Sequence, residues 1–208
     1  MSFPLRYAVL LDGGFVVKKL QQASATRAFP SADEIEQLCS DIAAHPDLAD
    51  YDLLRNYFYH ATPAKDVVTN PLDGSQLDLA ATPIFRQHLS LLDRLEMKPH
   101  FSVRLGETMA QEWRLGSSAM RALSRASRPI QPNDLVPNIM QKGVDLRIGL
   151  DIARLSLREM VRIIVIVTGD SDLVPAFKFA RREGLKIYLK TMGHGVRREL
   201  KAHADILL

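Results

Sequence analysis

The feature that most constrains the fold is an unbroken run of β-branched residues at positions 163–168. The run is apolar at consecutive positions rather than at alternate ones, which is typical of a central strand covered on both faces. It stops at Gly169, and a helix-like stretch, LVPAFKFARREG, follows soon after. A buried strand that leads into a helix predicts an α/β fold.

The rest of the chain alternates in the same way. An apolar run at 7–11 breaks at the tripeptide DGG and is followed by a predicted helix at 15–22. Further strands are predicted at 53–59, 100–105 and 185–190, and a further helix at 83–96. Right-handed helical crossovers join such strands in parallel. We therefore expect a mostly parallel sheet with helices packed on it.

Length and composition fit one globular domain. The 208 residues are 47% hydrophobic, which is enough for one sizeable core, and no repeat or low-complexity segment divides them. We expect a single domain over residues 1–208 with a basic insertion at about 106–133. The N-terminus lacks the pattern of a secretory leader, and no apolar run reaches transmembrane length. These features predict a cytoplasmic protein without a membrane span.

Charge and cysteine content narrow the functional classes. The net charge of +3 and the pI near 9.1 are mildly basic, so they do not by themselves establish a nucleic-acid partner. The single cysteine, Cys39, has no nearby His or Asp in a nucleophilic arrangement and lies in a helix-like stretch. We expect it to be a buried small hydrophobe rather than a catalytic group.

Four aspartates lie where predicted strands end or helices begin. Asp12 ends the first apolar run, and Asp145 follows the tripeptide KGV. Asp170 and Asp172 follow the run at 163–168. Because the carboxyl ends of strands line the ligand crevice of an open α/β sheet, we expect these side chains to share one edge. Grouped carboxylates repel one another unless a cation compensates them, and all-oxygen ligands favour Mg²⁺ or Mn²⁺.

Each aspartate also has a purely structural interpretation. Asp12 fits an Asp-Gly turn, and Asp145 fits the N-cap of the helix that follows it. Asp172 fits the N-cap of the helix whose first turn contains Pro175. Asp170 is harder to explain in this way, because one helix start needs only one cap. The coincidence of aspartates in three separate segments favours a metal site.

These motifs resemble those of a known family. DGG after the first strand, KGVD before a helix and TGDSDLVP after an apolar strand, in this order, are similar to the NYN domain, a branch of the PIN-like nucleases. The resemblance runs from Tyr7 to Leu208 and includes the closing HADILL. Three residues after the first aspartate, where the family often has Asn, this chain has Phe15.

The resemblance implies a PIN-like Rossmannoid three-layer sandwich with a mostly parallel central sheet. It also implies a ribonuclease that depends on Mg²⁺ or Mn²⁺ and cleaves RNA phosphodiester bonds. Its metal ligands and catalytic residues would be Asp12, Asp145, Asp170 and Asp172. A non-catalytic RNA-binding or regulatory NYN protein remains open and is favoured by Phe15. A phosphotransferase or phosphatase is a third alternative, although it would normally have paired acids after the first strand. A homodimer is also open.

Neighbouring side chains would orient the carboxylates. Thr168 and Ser171 are the best placed to donate hydrogen bonds to them. Asp151 lies six residues after Asp145, which on one helix separates the two side chains by about 240°. We therefore interpret Asp151 as a supporting residue, a partner for Lys142 or for a nearby arginine.

Basic residues in the predicted insertion could follow a phosphate backbone. Arg121, Arg125 and Arg128 would form one stripe if residues 117–127 are helical. Trp113 could stack on an unpaired base. The alternative is a solvated segment whose tryptophan packs on the body of the protein.

A second basic group follows the last predicted long strand. Lys190, His194 and Arg197 leave the sheet at the same edge as the aspartates, so we expect them, together with Lys142, to reach substrate phosphates. His194 is either a simple loop residue or a proton donor to a leaving group. The expected partner is RNA, single-stranded or in structured loops.

Overall fold

The computed structural model describes residues 5–208, and residues 1–4, the beginning of the segment considered above for a leader, lie outside this range. Within it the chain forms nine strands and seven α-helices. The strands are β1 (Arg6–Asp12), β2 (Asp52–Ala61), β3 (Val67–Thr69), β4 (Gln76–Asp78), β5 (Phe101–Leu115), β6 (Leu135–Lys142), β7 (Ile163–Val167), β8 (Lys186–Lys190) and β9 (Ile206–Leu207).

Helices alternate with the strands along the chain. They are α1 (Gly13–Ala23), α2 (Ala32–Ala43), α3 (Pro83–Glu96), α4 (Ser117–Leu123), α5 (Val144–Leu157), α6 (Val174–Arg182) and α7 (Arg198–Ala202). Short 3-10 helices lie at Pro46–Leu48, Leu79–Ala81, Pro132–Asp134 and Ser171–Leu173. None of the helices in residues 5–208 is both long and apolar enough to cross a membrane.

Seven of the described strands form the main sheet, in the order β6-β5-β2-β1-β7-β8-β9. β1 pairs in parallel with β2 and β7, β7 pairs in parallel with β8, and β8 with β9. β5 and β6 are antiparallel. The mostly parallel central sheet with flanking helices confirms the predicted fold class and is consistent with a PIN-like fold.

The parallel strands carry the core. All five residues of β7 are fully buried, as are residues 8–11 of β1 beside it. This burial on both faces explains why the two strands are apolar at consecutive positions. Because β1, β7 and β8 are parallel neighbours, their carboxyl ends meet at one edge of the sheet. Cys39 is buried in α2, and its burial raises the pKa of the thiol to about 12.

The chain divides into two compact units. The first comprises the residues up to His60, Leu91–Gly106 and Gly143–Leu208, and it contains the parallel strands. The second comprises Ala61–Ser90 and Glu107–Lys142. It contains the antiparallel pairing of β5 with β6 and the β3-β4 ribbon. The predicted basic segment at 106–133 lies almost entirely in the second unit.

Two elements in the second unit differ from the prediction. β5 continues to Leu115 instead of ending at 105, because it pairs with β6, a strand that the periodicity does not reveal. α4 ends at Leu123 rather than at 127. The Ser124 hydroxyl donates to the carbonyl of Arg121 and so competes with the helix, and Pro129 disfavours helical backbone before it.

Candidate acidic active site

Asp12 ends β1 and caps α1. Its Oδ1 accepts a 3.1 Å hydrogen bond from the backbone N–H of Phe15, which satisfies one of the free donors at the helix start. The following residue, Gly13, allows a close approach to β2, since a Cβ there would lie 2.5 Å from the carbonyl oxygen of Tyr59. The DGG motif therefore combines a helix cap with tight packing of α1 on the sheet.

Thr168 connects the ends of β1 and β7. Its side chain is fully buried, and its hydroxyl donates a 3.0 Å hydrogen bond to Oδ2 of Asp12. The hydroxyl oxygen of Thr168 in turn accepts the backbone N–H of Asp170 at 3.1 Å. Ser171, which was expected to share this orienting role, begins the 3-10 helix after the strand, and its hydroxyl forms no hydrogen bond with the residues described.

Asp170, not Asp172, provides the cap after β7. Oδ1 of Asp170 accepts the backbone N–H of Asp172 at 2.8 Å and so caps the 3-10 helix Ser171–Leu173. α6 begins only at Val174, without a side-chain cap. The structural interpretation of Asp172 as the cap is therefore wrong, because a 3-10 turn separates the strand from the helix. The carboxylate of Asp172 is exposed and takes no part in capping.

Asp145 is likewise not an N-cap. α5 begins at Val144 with Gly143 as its N-cap, so Asp145 is the second residue of the helix. A carboxylate in the first turn is favoured by the helix dipole. Asp145 lies largely in solvent, and no hydrogen bond from another described residue reaches it. Capping therefore does not account for an aspartate at this position.

The aspartates influence one another electrostatically. Partial burial, followed by the charges of Asp170, Asp12 and Asp172, raises the pKa of Asp145. Burial also raises the pKa of Asp12, and the charge of Asp170 adds to this, while the two hydrogen bonds described above oppose it. Asp12, Asp145 and the pair Asp170 and Asp172 thus come from three separate segments of the chain, and their charges influence one another. The charges of Asp12, Asp170 and Asp172 reach Asp145, and the placement of the four carboxylates in one site stays a prediction.

The donor chemistry at this edge fits a hard divalent cation. Asp12, Asp145, Asp170 and Asp172 offer only carboxylate oxygens, which suit Mg²⁺ or Mn²⁺. Among residues 5–208, no three His, Cys, Asp or Glu side chains are grouped closely enough to hold an ion between them. Mg²⁺ in proteins is commonly bound by one or two carboxylates, with waters and substrate phosphates as its other ligands. The aspartates suit that mode of binding.

Comparison with known families finds one match. The family model of the NYN domain matches residues 110–207. This segment matches the NYN domain family. It includes Asp145, Asp170 and Asp172, whereas Asp12 precedes it. NYN domains are PIN-like nucleases, so the match implies a nuclease-like, RNA-related function.

Two further comparisons concern whole chains. No curated protein matches this one. A crystal structure of a protein of unknown function from Vibrio parahaemolyticus is similar, with 15% identity and a TM-score of 0.55, over 100% of this chain and 94% of the other. At that identity the similarity shows the fold alone.

Asp151 connects α5 to β2 and β5. Its Oδ2 accepts hydrogen bonds from the hydroxyl of Tyr59 at 2.9 Å and from Nε of Arg104 at 3.3 Å. Burial, with the charge of Asp151 second, raises the pKa of Tyr59 well above its ordinary value. The sequence predicted Lys142 or a nearby arginine as the partner of Asp151; the arginine is Arg104, and the partner that sequence reasoning missed is Tyr59. A tyrosine in a buried strand needs a partner for its hydroxyl, and that requirement was the available signal.

The loop after β8 lies against the start of α1. The rings of Phe15 and His194 have centroids 5.8 Å apart, and Nζ of Lys19 lies 3.0 Å from Nδ1 of His194. A Cβ on Gly169 would lie 2.7 Å from Phe15 and 2.9 Å from His194. Gly169 therefore admits both rings to the end of β7.

The other predicted basic residues occupy varied positions. Lys190 is half-buried at the end of β8, Arg197 is exposed before α7, and Lys142 is exposed at the end of β6. Trp113 is half-buried in β5, in register with Pro137 of β6. No ion pair involves these residues within the described part of the chain.

The arginines of the second unit do not form the predicted stripe, because α4 ends before two of them. Arg121 is helical, and its Nε donates to the carbonyl of Ser117, while Arg125 is exposed beyond the helix. Arg128 forms two hydrogen bonds with Asp134, at 2.6 and 2.7 Å. That pairing holds the pKa of Asp134 at about 2. Arg128 therefore has a structural partner, whereas Arg121 and Arg125 keep charged groups in solvent.

Proposed function

We propose that this chain is a metal-dependent ribonuclease that cleaves RNA phosphodiester bonds at the edge carrying Asp12, Asp145, Asp170 and Asp172. The observation that supports this most directly is electrostatic: burial, followed by the charges of Asp170, Asp12 and Asp172, raises the pKa of Asp145. Unpaired carboxylates that repel one another cost free energy, which a bound cation would relieve. The NYN match supports RNA as the substrate class.

The aspartates have distinct parts in this proposal. Asp12 and Asp170 are fixed by hydrogen bonds from Thr168, Phe15 and the 3-10 turn, so they would form the rigid side of the cation site. Asp145 and Asp172 are exposed and would turn toward the ion when it binds. One or two Mg²⁺ or Mn²⁺ ions would activate water and stabilise charge on the scissile phosphate. The expected products carry 5′-phosphate and 3′-hydroxyl ends.

RNA binding requires cations that the carboxylates cannot supply. We propose that Lys190 and Arg197 in the first unit contact the phosphate backbone. In the second unit the proposed contacts are Arg121, Arg125 and Lys142. The expected substrate is RNA, single-stranded or in structured loops. We also propose that the protein is cytoplasmic, that residues 1–208 form a single domain and that the protein forms a homodimer.

A non-catalytic RNA-binding or regulatory module is the second candidate. Phe15 favours it, because the family often has a polar Asn at this position and the phenyl ring offers no ligand or hydrogen bond. This candidate predicts RNA binding without cleavage that depends on a metal.

Cleavage of labelled single-stranded RNA by the purified protein separates the two candidates. Mn²⁺ should support cleavage and a chelator should abolish it. Asp12→Asn and Asp172→Asn should each reduce the rate by about 100-fold or more, while RNA binding at fixed salt persists. Asp50→Asn, an exposed aspartate in a turn, is the matched control and should cut at the parent rate. Cleavage that survives chelation, or that persists unchanged in Asp172→Asn, would exclude this site.

A further inference from the structure

The contact with Lys19 determines which ring nitrogen of His194 can donate a hydrogen bond. Lys19 and Phe15 lie one turn apart on α1 and so share a face of the helix. Nζ of Lys19 is 3.0 Å from Nδ1 of His194. A lysine ammonium has three donors and no acceptor, so Nδ1 must accept the bond and carry no proton. The imidazole is therefore neutral, with its proton on Nε2.

The protonated nitrogen lies on the side of the ring that approaches the acidic edge. Cδ2, the ring atom bonded to Nε2, is 2.9 Å from the position that a Cβ on Gly169 would occupy. Gly169 immediately precedes Asp170. The Phe15 ring also packs against His194, and the centroids of the two rings are 5.8 Å apart. The Nε2–H donor thus stands at the carboxyl end of β7.

We propose that His194 is a neutral hydrogen-bond donor, through Nε2–H, to a nonbridging phosphate oxygen of RNA at the acidic edge. Lys19 and Phe15 are positioning residues that hold the ring in this tautomer and place. The inference rests on the proposed function, since it assumes that RNA occupies this edge. Phe15, which replaces the family's frequent Asn, thereby acquires a specific part in the site.

A neutral donor has an advantage beside carboxylates. A cationic side chain at the end of β7 would pair with the aspartates and compete with a metal ion for them. A neutral N–H binds a phosphate oxygen without compensating the carboxylate charge. A neutral imidazole is also too weak an acid to protonate a leaving group, so the structure favours a binding part for His194 over the proton transfer considered above.

RNA affinity tests the donor. Binding of a short single-stranded RNA is measured in Mg²⁺ in an Asp172→Asn background, in which cleavage is expected to be blocked. Adding His194→Phe, which keeps a ring against Phe15 but has no donor, should weaken binding about tenfold. His194→Gln retains a donor and should stay within about threefold of the background. An unchanged affinity in His194→Phe would overturn the proposal.

The salt dependence distinguishes a neutral donor from a cation. His194→Phe should leave the slope of log K against log salt unchanged, because no charge is lost. If His194 bound phosphate as a cation, the slope would fall by about 0.7. That outcome would overturn the neutral state. None of these measurements requires the parent to cleave RNA, so a failure here is separate from a failure of the nuclease proposal.

The tautomer can be observed directly. In ¹⁵N-labelled protein at neutral pH, the ring nitrogens of His194 should show Nε2 protonated and Nδ1 unprotonated. Lys19→Met should remove this bias, whereas Lys18→Met, the exposed neighbour on the same helix, should retain it. A doubly protonated ring in the parent, or an unchanged tautomer in Lys19→Met, would contradict the assigned role of Lys19.

Discussion

The hydroxyl of Thr168 donates a 3.0 Å hydrogen bond to Oδ2 of Asp12, although the two residues are 156 positions apart in the chain. The same hydroxyl oxygen accepts the backbone N–H of Asp170. One buried side chain therefore holds Asp12, which ends β1, and Asp170, which follows the adjacent strand β7. Their relative position depends on the sheet and on Thr168 rather than on flexible loops.

Replacing Thr168 by Val should destabilise the protein, because it removes the hydroxyl while conserving shape. The N–H of Asp170 would lose its partner, and the free energy of unfolding should fall by about 1–3 kcal/mol. Urea denaturation measures this change. Thr168→Ser keeps the hydroxyl and should retain most of the stability. Equal losses in the two variants would show that packing, rather than the hydrogen bonds, accounts for the effect.

Divalent cations should stabilise the protein if the aspartates bind them. The melting temperature should be higher in millimolar Mn²⁺ or Mg²⁺ than in a chelator, because the ion binds only the folded state. Asp170→Asn should shrink this shift without unfolding the protein, whereas Asp50→Asn should preserve it. A metal response in Asp170→Asn as large as the parent's would remove Asp170 from the site.

The raised pKa of Asp145 predicts a dependence of stability on pH. A carboxylate whose folded pKa lies above its unfolded value favours folding more when protonated, so its unfavourable contribution disappears as pH falls through the folded pKa. In a chelator, the stability of the parent should therefore rise relative to that of Asp145→Asn as pH falls from neutral toward the usual aspartate range. Solvent screening should keep the difference below about 1 kcal/mol. Denaturant titrations at several pH values would show it, and parallel curves would contradict it.

Tyr59 and Asp151 should be energetically coupled. Tyr59→Phe removes the hydroxyl that donates to Oδ2 of Asp151 and should cost about 1–2 kcal/mol, since the bond ends on a charged group. A double-mutant cycle with Asp151→Asn isolates the pair. The cost of Tyr59→Phe should be smaller in the Asp151→Asn background. An identical cost in both backgrounds would mean that the hydroxyl stabilises the fold by another route.

The arginines of the second unit should separate into two classes. Arg121→Gln together with Arg125→Gln should flatten the salt dependence of RNA binding by up to about 1.4 in slope, as expected for two phosphate contacts on a single strand. Arg128→Gln should leave the slope unchanged and lower the melting temperature, because it leaves Asp134 buried without its partner.

The stability cost of Arg128→Gln should also depend on pH in a defined direction. The folded pKa of Asp134 is depressed to about 2, so the stability that this group contributes is present above the unfolded pKa. It is lost as pH falls toward about 2. The difference in melting temperature between parent and variant should narrow over that range. A reduced salt slope for Arg128→Gln would instead place this arginine on the RNA.

The elements that could be predicted from the sequence are those whose burial leaves a one-dimensional pattern. β1 and β7 are apolar at consecutive positions because both faces are covered, and α3 has the bounds predicted from its periodicity. β6 could not be predicted, since no residue of it is buried and Pro137 with Asn138 interrupts its apolar residues.

The details of the site depended on contacts that no local pattern encodes. Asp170 and Asp172 both follow β7, and only the 3-10 turn between strand and helix decides which of them is the cap. The partner of Asp151 lies 92 residues away in the chain, at Tyr59. Lys19 and His194 are hydrogen-bonded although they are 175 positions apart in the chain, and the residues flanking each of them do not predict this contact.

The acidic edge is assembled from parts that should open at different free energies. Asp12 ends β1 and Asp170 follows β7, and both strands lie buried in the middle of the sheet, so exposing the backbone of these strands requires nearly global unfolding. Asp145 and His194 belong to a helix start and a surface loop, where fraying needs far less free energy. Native-state amide exchange should therefore be slow at β1 and β7 and fast around residues 143–147 and 191–197. Mild heating should then open the segments around Asp145 and His194 first, while β1 and β7 stay closed until the core unfolds.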